Sequence, residues 1–190
     1  MILHDIDELP ADRPFVATIG VFDGVHMGHL HVLRTLLEAA SAEDATPVVI
    51  TFDPHPEAVV RGRSPQLLCS LEERQERLLA AGVGIVVVQR FDKAFRQQSA
   101  EQFLDRLRLG RRLRGLVMSP ESAFGHDREG TIDLVRRLAA DEGWMLVEIP
   151  LLEIDGERVS SNRIRALLAE GHQADAERLL GRPLRPASEG

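Results

Sequence analysis

Five short apolar runs, at 15–21, 48–52, 85–88, 113–118 and 145–149, alternate with helical periodicity at 30–42, 71–81, 100–109 and 132–141. The runs are apolar at nearly every position rather than every second one, the pattern of strands buried on both faces. Strands of this kind, each separated from the next by a helix, pair as a parallel sheet with helices on both sides. The sequence therefore predicts a doubly wound α/β fold. Local punctuation agrees: Ser70 precedes 71–81 with Glu73 three residues on, the pattern of a capping box. Gly82 and Gly143 follow helix ends, where a left-handed residue closes the last turn. Beyond Pro150 the pattern changes to a hairpin over 153–159 around Asp155-Gly156 and two short helices, from Ser160-Ser161 through 169 and over 174–180. A single domain over 1–183 with a tail over 184–190 is expected.

Sheets of this type bind ligands beyond the carboxyl ends of their strands, where strand order reverses. Two segments fall there. Gly20-Val21-Phe22-Asp23-Gly24-Val25-His26-Met27-Gly28-His29 joins the first strand to the first helix. Its two histidines, with Gly28 between them, meet a helix N-terminus, whose free N–H groups and positive dipole end favour anions. Glycine admits close backbone approach to a phosphate, and imidazole can donate to a phosphoryl oxygen. His26, His29 and His31 lack acidic or thiol neighbours at ligand spacing, so no protein metal ligand is assigned. Asp53-Pro54-His55-Pro56 follows the second strand and ends at the same edge.

A third segment, Ser160-Ser161-Asn162-Arg163-Ile164-Arg165, opens a helix. Hydroxyls there cap the helix or donate to phosphate, and Arg165 can present a two-pronged fork to it. Taken without the histidine turn, Ser161 reads equally well as an N-cap with Arg163 and Arg165 solvated. The formal net charge of −7 excludes a general nucleic-acid or anionic-membrane surface, so phosphate must be held by a local basic pocket. Cys69 is the single cysteine, which excludes an internal disulfide and fits a reducing compartment. The first residues lack a signal-peptide pattern and no apolar run reaches membrane-spanning length, so a cytoplasmic location is expected. No G-x-x-x-x-G-K-S/T occurs, which excludes a P-loop kinase, and Gly82-Val83-Gly84 lacks the third glycine of a dinucleotide fingerprint. Nothing in the sequence reports the oligomeric state.

Segments 20–29, 48–56 and 159–183, in this order, resemble the FMN adenylyltransferase module of bacterial bifunctional FAD synthetases, in the nucleotidylyltransferase superfamily. The resemblance covers about 1–183. It implies a Rossmann-like nucleotidyltransferase fold, ATP with Mg2+, FMN as acceptor, and no covalent enzyme intermediate. It also implies that His26 and His29 stabilise charge at the α-phosphorus, while Gly20, Phe22, Asp23, Gly24 and Gly28 shape the turn against the nucleotide. Ser160, Ser161 and Arg165 are implied to hold the outer phosphates, with Ser161 and Arg165 counted with the histidines as catalytic. The flavin side is implied at Asp53, Pro54, His55, Pro56, Val60, Glu121 and Phe124.

Three departures accompany the resemblance. The riboflavin kinase part of the bifunctional enzymes has no counterpart here, so phosphorylation of riboflavin is not expected. Glu121-Ser122-Ala123-Phe124-Gly125 stands where the family has Asp-Phe-Arg-Phe-Gly, and Val59-Val60 replace a common aromatic. With no tyrosine and one tryptophan, flat surfaces for a flavin ring are expected to be scarce. Two further readings stay open: the same chemistry on another phosphate-bearing acceptor, and a nucleotide-binding module without catalysis. Arg128, in the polar loop 126–128, either reaches phosphate or is solvated.

Overall fold

Val48, Val49 and Ile50, and Val86 and Val87 beside them, are all fully buried. Consecutive buried residues of this kind require cover on both faces of a sheet. A computed structural model describes residues 1–120 and 122–184 and shows that cover. Strands β1 (Ile2–Leu3), β2 (Pro14–Ile19), β3 (Thr46–Asp53), β4 (Ile85–Arg90), β5 (Arg112–Met118) and β6 (Met145–Glu148) form one sheet. Its order is β1-β4-β3-β2-β5-β6, with every neighbouring pair parallel. The chain moves outward from β2 through β3 to β4, then crosses back so that β5 lies on the other side of β2. Strand order thus reverses between the carboxyl ends of β2 and β5, and the doubly wound expectation holds.

The helices are α1 (Met27–Ala42), α2 (Pro56–Arg61), α3 (Leu71–Ala80), α4 (Lys93–Arg96), α5 (Ala100–Arg108), α6 (Ile132–Glu142), α7 (Ser161–Ala169) and α8 (Gln173–Leu180). A short antiparallel hairpin, β7 (Glu153–Ile154) with β8 (Glu157–Arg158), precedes α7. Alternate strand residues feed separate cores. Phe15, Ala17, Ile50 and Leu116 pack with Phe103 and Leu104 of α5, whereas Val16, Val49 and Val117 pack with Leu33 and Leu36 of α1. A third cluster, including Ile164, Leu167, Ala176 and Leu179, lies between α7 and α8.

Several boundaries differ from expectation. Strand β2 ends at Ile19 rather than 21, because the chain turns sharply through Phe22 (φ 53°) and Val25 (φ 41°). Helix α1 begins at Met27, three residues before its apolar periodicity, with His26 as N-cap. Ser70 accepts from the Glu73 N–H at 3.1 Å, but the Glu73 carboxylate turns to Arg77 Nε at 2.8 Å, leaving half a capping box. The reciprocal box forms at Ser99 and Gln102 instead. Strand β1 and helices α2 and α4 are not expected from the sequence, being too short to carry periodicity. Among the described residues no helix is long and apolar enough to cross a membrane.

Candidate active site

Arg74 of α3 is buried and donates from Nη1 to Thr51 Oγ1 (3.1 Å) and to the Phe52 carbonyl (2.9 Å). Thr51 in turn donates to the Val21 carbonyl at 2.8 Å, so the end of β3 fixes the start of the histidine turn. The turn then holds two non-glycine residues, Phe22 and Val25, at positive φ, a costly conformation that tends to persist at functional sites. Gly28 leaves the space the turn needs: a Cβ there would lie 3.1 Å from the His26 ring and 3.2 Å from the Val159 carbonyl.

The rings of His26 and His29 stack, with centroids 3.6 Å apart and planes 16° from parallel. His26 Nδ1 accepts the His29 N–H at 3.3 Å, which leaves the proton of the neutral ring on Nε2. Burial, reinforced by the Arg182 and Arg165 guanidinium groups, lowers the His26 pKa to about 4. Burial, then His26 and Arg74, pushes His29 well below the usual histidine value. Both rings are therefore neutral at neutral pH. His29 Nδ1 is buried and has no hydrogen-bond partner.

Asp23, 1% exposed, accepts from the Leu68 N–H (2.9 Å) and from Arg165 Nη1 (2.8 Å). Ser161 Oγ donates to the Asp23 carbonyl at 3.0 Å, and Arg165 also donates to Asn162 Oδ1 at 2.5 Å. Ser160, not Ser161, is the N-cap of α7, accepting from the Arg163 N–H at 3.2 Å. Arg163 reaches outward to Glu157. Ser161 and Arg165, two of the three residues assigned to outer phosphates, thus latch α7 onto the histidine turn.

A cleft of about 1100 Å³ opens between these two segments, walled by His26, Gly28, Ser160, Ser161, Arg165 and Asp23. His55 lines this cleft, its Nδ1 capping α2 by accepting the Glu57 N–H at 3.2 Å. A second cavity of about 770 Å³ adjoins it, lined by Gly20, Pro56, Val60 and Phe124. Phe22, His29, Glu57, Ser119 and Arg128 belong to both walls. Gly24 lines neither; it is buried, donates to Cys69 Sγ at 3.2 Å, and has no room for a Cβ against Leu68. Asp53 and Pro54 also line neither cavity and are exposed, because they end β3 before α2 turns inward. Glu121 lies outside the described residues.

The expected scarcity of aromatic surface is overturned. Phe52, Phe91, Phe95, Phe103 and Phe124 all line the second cavity, with ring centroids of contacting pairs 5.0–6.0 Å apart. Phe91, Phe95 and Gln98 escape sequence reasoning because they sit around the four-residue helix α4 without a period of their own. Among the described residues no three His, Cys, Asp or Glu side chains converge on a metal position.

This twin-cavity arrangement accompanies a sequence profile match over residues 8–163 to the family described as FAD synthetase. The chain belongs to the FAD synthetase family. It is 35% identical over 186 residues to a bifunctional riboflavin kinase/FMN adenylyltransferase of Pseudomonas fluorescens, covering 97% of this chain and 59% of that one. The enzyme of the same name from Escherichia coli (strain K12) is 32% identical, with 95% and 58% covered. A FAD synthetase of Listeria monocytogenes is 31% identical over 90% of this chain and 70% of its own length. This family member therefore spans somewhat over half the length of the bifunctional relatives. Among solved structures, a macrolide-efflux protein from Streptococcus pneumoniae superposes with a TM-score of 0.82 over 97% of this chain and 60% of its own. At 24% identity that likeness speaks for the fold. A pantothenate synthetase from Thermus thermophilus, at TM-score 0.50, 18% identity and 95% and 80% coverage, has a related fold.

Proposed function

We propose that this chain transfers AMP from ATP to FMN, forming FAD and releasing pyrophosphate. The observation that carries the reading is the shared wall: a phosphate-suited cleft and an aromatic cavity meet at His29. ATP occupies the cleft, its phosphates against the N-termini of α1 and α7. The flavin ring lies among the phenylalanines, which delivers the FMN phosphate to the wall. One of its oxygens attacks the α-phosphorus in line, and the bond to pyrophosphate breaks as the new P–O bond forms. The FMN phosphate is already ionised, so no side chain has to remove a proton. His26 donates from Nε2 to the charge that grows on the transferring phosphoryl group, and His29 holds that group from the wall. Neutral imidazoles suit this task, because they donate without adding a buried cation beside Arg165. Magnesium arrives with ATP as part of the substrate, bound chiefly through the phosphates.

Riboflavin has no phosphate to attack with and falls outside this proposal. The buried free thiol of Cys69 supports residence in the cytoplasm. The described chain is read as one functional domain. The test is chromatographic detection of FAD from FMN and MgATP, beside pyrophosphate release with FMN, riboflavin and pantetheine phosphate. FAD from FMN, and no pyrophosphate with riboflavin, is expected. Pyrophosphate release with another acceptor and none with FMN would replace the reading.

A further inference from the structure

Gln98 stands in the aromatic cavity beside Phe95, Phe103 and Phe124. Its Oε1 is buried and has no hydrogen-bond partner. The backbone around it is tied on both sides. The Gln98 N–H donates to the Phe95 carbonyl at 3.1 Å, and the Gln98 carbonyl accepts from the His126 N–H at 2.7 Å. Two residues on, the Ala100 N–H donates to Glu129 Oε1 at 2.7 Å, and Gly125 packs so closely that a Cβ would meet the Ala100 nitrogen at 2.6 Å. The side chain therefore has a fixed root, and its acceptor is held in a wall shared by phenylalanine rings and by charged side chains, Arg61, Arg96 and Asp127 among them.

A buried acceptor without a donor is unfavourable, and a ligand that carries an N–H into the cavity relieves it. Resting on the FMN reading above, we propose that Gln98 is the specificity-determining residue of the acceptor cavity, its Oε1 accepting the imide N–H of the flavin pyrimidine ring. That edge of the isoalloxazine carries one N–H between two carbonyls. A carboxamide carries an acceptor next to N–H donors, so the two edges pair at two points. The opposite, dimethylbenzene edge offers no N–H. The ring accordingly enters pyrimidine edge first, and a planar acceptor lacking the imide hydrogen is rejected.

The experiment compares FMN with N3-methyl-FMN, using wild-type chain and Gln98→Leu, with MgATP throughout. Wild type should use N3-methyl-FMN about tenfold less well in kcat/KM, as one hydrogen bond lost to a buried acceptor predicts. Gln98→Leu should use FMN about tenfold less well and discriminate between the two flavins less than about twofold, with KM for ATP unchanged. A role limited to packing would lower activity on both flavins and leave the ratio alone; that outcome overturns the proposal. Direct binding of both flavins to wild type, followed by quenching of flavin fluorescence, gives the same ratio even if the variant fails to fold. No FAD from FMN by wild type would remove the acceptor reading and this inference together. FAD formation without discrimination would remove the Gln98 assignment only.

Discussion

Replacing Asp23 by Ala should destabilise the protein far more than an ordinary surface change, because the Asp23 carboxylate is buried and held by Arg165 at the wall of the cleft. Asp23 is 1% exposed at its side chain and Arg165 17%, at 2.8 Å. Removing one partner of such a pair leaves the other charge desolvated, at a cost of about 3–5 kcal/mol. For a chain of this size that lowers the melting temperature by roughly 6–20 °C, at about 2–4 °C per kcal/mol. Arg165→Met should cost a similar amount by stranding the carboxylate. Removing both, as Asp23→Leu with Arg165→Met, should cost less than the sum of the two single changes by on the order of 2 kcal/mol. Urea unfolding measures all three variants, with an unchanged denaturant slope showing that the unfolded state is not what has moved. The stability measurement separates this latch from a pure phosphate-binding role, in which Arg165→Met would lose activity but keep its midpoint. Additive losses, or an Asp23→Ala cost under about 1 kcal/mol, would refute the latch.

Acid should weaken the fold through His26, whose folded pKa of about 4 lies below the ordinary value of 6.5. The unfolded chain binds the extra proton first, so the neutral ring's contribution is complete above pH 6.5 and lost as pH falls to about 4. The total is roughly 3 kcal/mol, and urea midpoints measured across that range should flatten in His26→Asn, which keeps an N-cap; an identical slope would contradict the assignment. Gly28→Ala should cut turnover at least about tenfold, since its Cβ would sit 3.1 Å from the His26 ring and push it out of place. Steady-state kinetics beside a circular-dichroism melt checks it, and normal turnover would show that the ring tolerates the shift. Phe91→Ala and Phe95→Ala should each raise KM for FMN about fivefold and leave KM for ATP alone, from roughly 1 kcal/mol of lost ring contact. Equal effects on both substrates would place the two rings outside the acceptor wall.

The parallel sheet is legible in the sequence because buried strands betray themselves by unbroken apolar runs, and each expected run corresponds to a strand of the sheet. The histidine turn and the Ser160–Arg165 segment are legible as chemistry at helix starts, and they do face one cleft. Their internal bonding is not. Nothing in the spacing of Asp23 and Arg165 indicates that they meet, since 142 residues separate them. The second cavity misleads for a related reason: counting tyrosine and tryptophan overlooks phenylalanines that come from β3, the loop after β4, α4, α5 and the 124 region and converge only in three dimensions. The sequence also does not show that His55 caps α2 and lines the nucleotide-side cleft, because so short a helix carries no period to show where its N-cap points.

The small core between α7 and α8 gives the cleft an unequal pair of jaws. One jaw is rooted in the six-stranded sheet, the other in a cluster of a few aliphatic side chains fastened at the histidine turn. Units with little buried surface open at lower free energy than the body they are attached to. Heat should therefore take away the grip on nucleotide before it takes away the sheet, so that inactivation and melting become separate events. A triphosphate bridging both jaws pulls the weaker one shut by mass action. On the ATP reading proposed above, the standing level of the triphosphate in a cell would then act as the strut that keeps this protein in working order.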